Sequence, residues 1–433
     1  MPDVKILYLA VAVGLAAMLA DRLRAMPFLV MVVLTAVYGV VQGETPSWVA
    51  KEFNTGFGQT MAAAGLAVIA GAMLARLASR SGASRWWRDH LGGRGQIAVT
   101  AAFAAAAGIG GTPIGALAAM APVIELAGPL RRRAALVAGF VINAVHGSMV
   151  PSPLPIAALA ILGGEWRWGL AFGLPVAVVQ IAVGLVLAGR APAAAPVALE
   201  EPVTPPRGRA TLAVLLAVAA TLGLLLCQSL GQIPSEPLGG GQIRETLLGL
   251  GRPMIVLWVG LGLAVMLAGG VGSRVFAEDG WAGQGARAAL GVLLAVGAAG
   301  GFQMMLHNNG MAEILSERLL GLDPALGVAI PFVVALVNRA LQGSPLTAAI
   351  AAAGMMQPLL VPLGLDGEAG RALVAVAVGA GCMAMPHIND GYFWLAAHLA
   401  DLGVTRGLRR VTGGAIAQAA AALAVLVVLA HMI

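Results

Sequence analysis

Apolar residues run in long blocks along almost the whole chain, and polar residues gather at the ends of those blocks or at a few points inside them. Spans are predicted over about 4–20, 27–41, 59–78, 134–150, 169–189, 210–227, 253–270, 286–304, 371–386 and 410–433. A helix needs ~20 such residues to cross the hydrocarbon core. The pattern therefore predicts an all-α polytopic membrane protein. Shorter apolar half-segments flank residues 109–113, 151–153, 342–345 and 387–390.

Those four interruptions carry the information. Met385 to Trp394 places Pro386, His387, Asn389, Asp390 and Gly391 inside the apolar stretch from Arg371 to Ala400. Lipid cannot satisfy a broken helix backbone, so such a break belongs inside protein or beside a water-filled cavity. Ionisable residues at that depth are costly and point to function. The bland alternative is a kinked helix whose His and Asp are satisfied by neighbours.

The interruptions recur in order. Gly111-Thr112-Pro113 is answered by Gly343-Ser344-Pro345, and Ala135-Leu136-Val137-Ala138 by Ala372-Leu373-Val374-Ala375. Before them, the small-residue stretch Gly65 to Trp87 matches Leu293 to Leu315. The Pro- and Ala-rich stretch 190–209 reads as a cytoplasmic linker between the halves. The first repeat half is then 1–189, with a hairpin at about 97–128 and a broken helix at about 134–163. The second is 210–433, with a hairpin at about 325–362 and a broken helix at about 371–402.

Charge sets the expected orientation. Residues 76–94 hold five arginines against one aspartate, and Arg131-Arg132-Arg133 follows the first hairpin. Both should be cytoplasmic loops. Acidic residues instead flank the second hairpin: Glu313, Glu317 and Asp323 before it, Asp366 and Glu368 after it. The hairpins would then enter from opposite faces as inverted-topology repeats, a plan shared by many secondary transporters.

At Thr112-Pro113 and Ser344-Pro345 a hydroxyl residue suits the N-cap and proline the first helical position. Gly111 and Gly343 permit the turn before each. Two helix N-termini arriving together would suit an anion, with no lysine or arginine needed. Thr347 adds a hydroxyl one turn on. In the segment His146 to Pro155, three prolines in five residues break the helix, and Ser148 and Ser152 are further candidate ligands. His387, Asn389 and Asp390 are expected to line the site. His146, Asp390 and Arg339 are the candidates for ion coupling, with Arg339 able either to pair with Asp390 or to reach substrate.

Composition narrows the class. Of 433 residues 59% are hydrophobic and 11% charged, and mean hydropathy is +0.88. Positive charge is almost all arginine, with Lys5 and Lys51 the lysines present, and it sits in short loops. That reads as membrane orientation rather than nucleic-acid binding. Residues 4–20 are followed by Asp21-Arg22-Leu23-Arg24, which does not suit a signal-peptide cleavage site. No phosphate-binding loop, zinc-protease motif or nucleophile elbow occurs. Cys227 and Cys382 form no metal pattern, and no cofactor is implied.

Four segments resemble the gluconate:proton symporter (gluconate permease) family of the ion transporter superfamily. Asn338 to Gly354 (NRALQGSPLTAAIAAAG) and Gly379 to Trp394 (GAGCMAMPHINDGYFW) resemble its R-x-A-Q-G-S-x-T-V-A and H-x-N-D-S-x-F-W motifs. Gly56 to Thr60 (GFGQT) and His146 to Pro155 (HGSMVPSPLP) resemble two more. The resemblance implies a scaffold paired with a mobile transport domain, elevator motion, a homodimer and a bacterial inner-membrane location. This sequence departs from the family at the first hairpin, which lacks an acid. It departs again at Ser152, where a second histidine is usual, at Gly391 for Ser, and at Pro345 for a small residue. The scaffold carries over better than the substrate, which widens to smaller or less hydroxylated carboxylates.

The expectation is a proton-driven symporter of a small organic anion, an aldonate or other hydroxy-carboxylate, embedded in membrane lipid. Sodium coupling and passive exchange share the architecture. An intramembrane hydrolase using Asp390 is the rival from another class, and it lacks a second catalytic group.

Overall fold

The computed structural model describes residues 2–80, 83–191, 208–233, 235–267, 275–310, 321 and 323–433. Among these residues all regular structure is helical. The first part of the chain forms α1 (Pro2–Arg22), α2 (Pro27–Val41), α3 (Pro46–Thr60) and α4 (Leu66–Arg80). A π-helical turn, Met61–Gly65, joins α3 to α4 without a break. The predicted span 59–78 is thus the second part of a continuous 35-residue helix, Pro46–Arg80.

Next come α5 (Ala83–Ile109), α6 (Pro113–Leu126), α7 (Arg131–Ser148), α8 (Pro153–Leu162) and α9 (Trp166–Gly189). The arginine-rich stretch expected as a loop is largely helical, and its sharp change of direction within α5 falls at Gly92, where φ is 57°. The central connection continues as α10 (Gly208–Gly231), α11 (Gln242–Leu250), α12 (Pro253–Leu267) and α13 (Trp281–Asn308). The last part holds α14 (Ala329–Gln342), α15 (Pro345–Met356), α16 (Glu368–Cys382), α17 (Gly391–Leu399), α18 (Val404–Gly407) and α19 (Gly413–Ala430). Most of the linker reading, residues 192–207, lies outside the described residues, as do Glu313, Glu317 and the end of the 293–315 match.

Six described helices are long and apolar enough to cross a membrane, or seven if the bent pair α11 and α12 is one span. Ten apolar blocks were expected. The difference arises partly because α2 and α16 have 15 residues each, about 22 Å of helix. The stretch Gly128–Leu162 has 89% of its apolar window buried in protein, against 33% for α9 and for Val404–Ala430. The first broken helix is therefore interior, while α9 and α19 present a face to lipid.

Two helical hairpins organise the packing. α5 packs on α6 and α7, and α14 packs on α15 and α16. The two hairpins interlock with the interrupted helices, because α6 lies against α17 and α15 against α8. The two broken helices meet where a side chain on Gly379 would fall on the Gly147 carbonyl. Only glycine admits backbones that close. Outside this unit, α13 packs on α3 and α4, and α4 covers α6.

Candidate functional site

Both hairpin tips are built by local chemistry. Gly111 (φ 67°) ends the turn after α5. Thr112 then takes an extended backbone, and its Oγ accepts the Gly115 N–H at 3.1 Å while Pro113 opens α6. At the second tip, Gly343 (φ 72°) closes α14 by donating its N–H to the Arg339 carbonyl at 3.0 Å. Ser344 Oγ accepts from the Thr347 N–H at 3.3 Å and from the Thr347 hydroxyl at 3.0 Å. A third helix starts nearby: Asp390 Oδ1 accepts the Tyr392 N–H at 2.9 Å and caps α17.

These three starts face one cavity of about 320 Å³, at the small end of the range for ligand pockets. Of the residues singled out from sequence, Gly111, Thr112, His146, Gly343, Ser344, Thr347 and Asp390 line it. Among the described residues no lysine or arginine does so. Capped helix N-termini still present N–H groups and partial positive charge, so the lining favours a ligand with acceptor oxygens and negative charge.

The remaining candidates are placed elsewhere. Ser152 was expected to offer its hydroxyl to a ligand, but it is fully buried. Its Oγ points back to the carbonyls of His146 (2.9 Å) and Met149 (2.5 Å) at the end of α7. The His146 carbonyl has lost its helical partner because the prolines stop the helix, while the Met149 carbonyl also accepts the Ser152 N–H at 2.9 Å. Ser148 is likewise buried and donates to Gln180 Oε1 at 2.8 Å.

His387 and Asn389 also turn away from the cavity. His387 Nε2 donates to the Ala340 carbonyl at 2.7 Å, and Asn389 Nδ2 donates to the same oxygen at 2.9 Å. Together they satisfy the C-terminal turn of α14. His146 does the equivalent job in the first half, its Nδ1 donating to the Gly108 carbonyl at 3.0 Å. Each histidine thus ties a broken helix to the first helix of a hairpin, His146 to α5 and His387 to α14. Because a carbonyl only accepts, His146 carries its proton on Nδ1 and offers Nε2 as the acceptor of the neutral ring.

Arg339 pairs with Asp390 through Nη2 and Oδ2, and this ion pair is buried. Of the two roles the sequence left open, the structure places Arg339 in the pair.

Gln59, Thr60 and Gln303 also line the cavity and were not foreseen there. Gln59 and Thr60 precede the π-helical turn, and Gln303 is a lone amide on an otherwise apolar stretch of α13. Such an amide on a buried face was the available signal.

An all-helical membrane protein whose interrupted helices converge on a small cavity with polar groups in its wall is built as a solute transporter. The sequence model of the GntP family permeases matches residues 4–433, and the chain belongs to that family. It is 25% identical to the gluconate permease of Pseudomonas aeruginosa over 93% of this chain and 92% of that one. It is 26% identical to the inner membrane permease YgbN of Escherichia coli K12, with 95% of each chain covered. A low-affinity gluconate transporter of the same bacterium is 33% identical over 24% of this chain and 23% of its own. These relatives are permeases and transporters rather than enzymes, which removes the intramembrane hydrolase.

Proposed function

We propose that the protein is a secondary active transporter that carries a small organic anion, a gluconate-like sugar acid or other hydroxy-carboxylate, together with protons across the bacterial inner membrane. The observation that carries this reading is the convergence of two hairpin tips, Thr112 and Ser344, on one cavity that also holds His146 and Asp390. Both tips offer helix N-termini, so a carboxylate would find N–H and hydroxyl donors from two elements that can move apart. The Pseudomonas aeruginosa relative, matched over nearly its full length, is named a gluconate permease, which agrees with an acid as cargo.

In this reading α5 to α8 and α14 to α17 are inverted-topology repeats forming the mobile unit, and the molecule works as a homodimer by elevator motion. The cross-packing of α6 on α17 and of α15 on α8 supports a unit built from both halves. Gly111, Thr112, Gly343, Ser344 and Thr347 would hold the anion, with Asp390 or His146 taking the proton.

The test is uptake into proteoliposomes. Labelled D-gluconate, D-glycerate, L-lactate and D-glucarate would be offered under an inward proton gradient, an inward sodium gradient, or neither. Accumulation that needs the proton gradient supports the reading. Accumulation that needs sodium would favour the sodium-coupled alternative, and equilibration without accumulation would favour passive exchange.

A further inference from the structure

We propose that Asp390 and the transported anion exchange places on Arg339, so that each carboxylate bound brings one proton onto Asp390. The inference rests on the anion-transport reading above. Arg339 lies on α14, four residues before the tip glycine, and is 1% exposed. Its Nη2 donates to Asp390 Oδ2, whereas Nε and Nη1 are buried without any partner. A guanidinium offers five donors and is best satisfied by a bidentate carboxylate. Here one oxygen of Asp390 is committed to capping α17, so the guanidinium is engaged at a single point. Asp390 itself lines the cavity. The carboxylate therefore stands between the ligand space and a cation with donors to spare.

Charge bookkeeping makes the two binding events depend on each other. A buried guanidinium left without a counter-charge is strongly unfavourable, so protonating Asp390 alone strands Arg339. Bringing in a carboxylate alone adds a second anion to a pair that is already neutral. Doing both leaves the net charge of the site unchanged. A proton from cavity water forms an O–H bond on Asp390 Oδ2, and the Nη2–H···Oδ2 bond breaks. The guanidinium N–H groups, including the two without partners, then close on the incoming carboxylate. By reciprocity the anion raises the proton affinity of Asp390 by the factor that the proton raises anion affinity.

The other titratable groups around Asp390 are His146 on α7, His387 in the preceding turn and Tyr392 on α17. Both histidines already donate a ring N–H to a carbonyl, and Tyr392 donates to the Gly139 carbonyl at 2.7 Å. α3, α6, α13 and α15 bring no ionisable side chain to the cavity lining.

Binding by the purified full chain decides the matter, with D-gluconate, D-glycerate, L-lactate and D-glucarate as probes in weakly buffered detergent solution. Between about pH 5 and 8, wild type should take up a proton with the anion, approaching one per anion, and affinity should fall as much as tenfold per pH unit. Asp390→Asn keeps the helix cap and is permanently neutral, so it should bind the same acid with no pH dependence and no proton uptake. Arg339→Gln/Asp390→Asn should lose binding. Wild-type binding without proton uptake would overturn the exchange, as would an unchanged pH slope in Asp390→Asn. Should Asp390→Asn fail to fold, the proton count is repeated in His146→Gln: uptake kept there supports Asp390 as the acceptor, and uptake lost overturns the exchange. If folded wild type binds none of the four acids, the transport reading itself falls, an outcome distinct from binding without protons.

Discussion

Thr112 and Ser344 sit at the tips of two different hairpins, 232 positions apart in sequence by number, and cap half-helices that open onto the same cavity. Replacing either by Ala should remove a cap and a hydroxyl donor together. Loss of the cap costs ~1 kcal/mol, and loss of a hydrogen bond to a charged ligand costs ~1.5–3 kcal/mol. Transport assays on Thr112→Ala and Ser344→Ala should show KM raised by about tenfold or more, while Thr112→Ser stays near wild type. Unchanged KM in both would remove the tips from the site.

Ser152→Ala should behave in the opposite way. Its hydroxyl holds the frayed end of α7 and does not line the cavity. Thermal unfolding should drop by an amount matching ~1–3 kcal/mol for the buried His146 carbonyl left short of a donor, with substrate Kd unaltered.

Glycine positions should separate by geometry. Gly343→Ala forces a left-handed φ and drives a methyl into the Asn389 carbonyl, so it should destabilise by ~1–3 kcal/mol and impair transport. Gly354, inside α15, has nothing within 4 Å of an added Cβ. Gly354→Ala should be neutral or stabilise by up to ~1 kcal/mol, the helix propensity difference. Thermal unfolding of both variants in detergent checks the pair.

The buried ion pair should show strong coupling. Arg339→Met alone leaves Asp390 without its counter-charge, at a cost of ~3–5 kcal/mol. Arg339→Met/Asp390→Asn keeps the α17 cap without the stranded charge and should recover much of that loss. A double-mutant cycle in thermal or denaturant stability measures it, and additive losses would show that the pair contributes nothing.

Asp21, just past the first apolar block, ties α1 to α18. Its carboxylate accepts the N–H groups of Val404 at 2.8 Å and Thr405 at 2.7 Å. Partial burial pushes this carboxyl up, but the bonds from Thr405 and Val404 and the nearby Arg406 charge outweigh it and hold it below the usual range. A depressed pKa means the contribution is present above the unfolded value, near 3.9, and is lost as pH falls through the folded one. Asp21→Asn should therefore lower thermal stability at neutral pH, and its deficit against wild type should begin to shrink below about pH 4 and vanish only once pH has fallen through the folded-state pKa.

Gly111-Thr112-Pro113 and Gly343-Ser344-Pro345 were legible as helix starts because glycine, a hydroxyl and proline act within four residues of themselves. The breaks at 151–155 and 386–390 were legible for the same reason, and membrane class followed from the length of the apolar blocks. His387, Asn389 and Ser152 were misplaced by sequence reasoning, since a polar residue at a break can face a cavity or repair the carbonyls that the break exposes. Which it does depends on the nearest helix end, and for His387 that end is Ala340, 47 positions away. The pairing of Arg339 with Asp390 and the arrival of Gln59, Thr60 and Gln303 at the cavity are likewise non-local. Where the helices start, stop and break is written in neighbouring residues, because short-range backbone chemistry sets those points. Which polar groups face the cavity and which are consumed by the fold is a matter of packing, because a buried donor takes whichever acceptor is brought within reach.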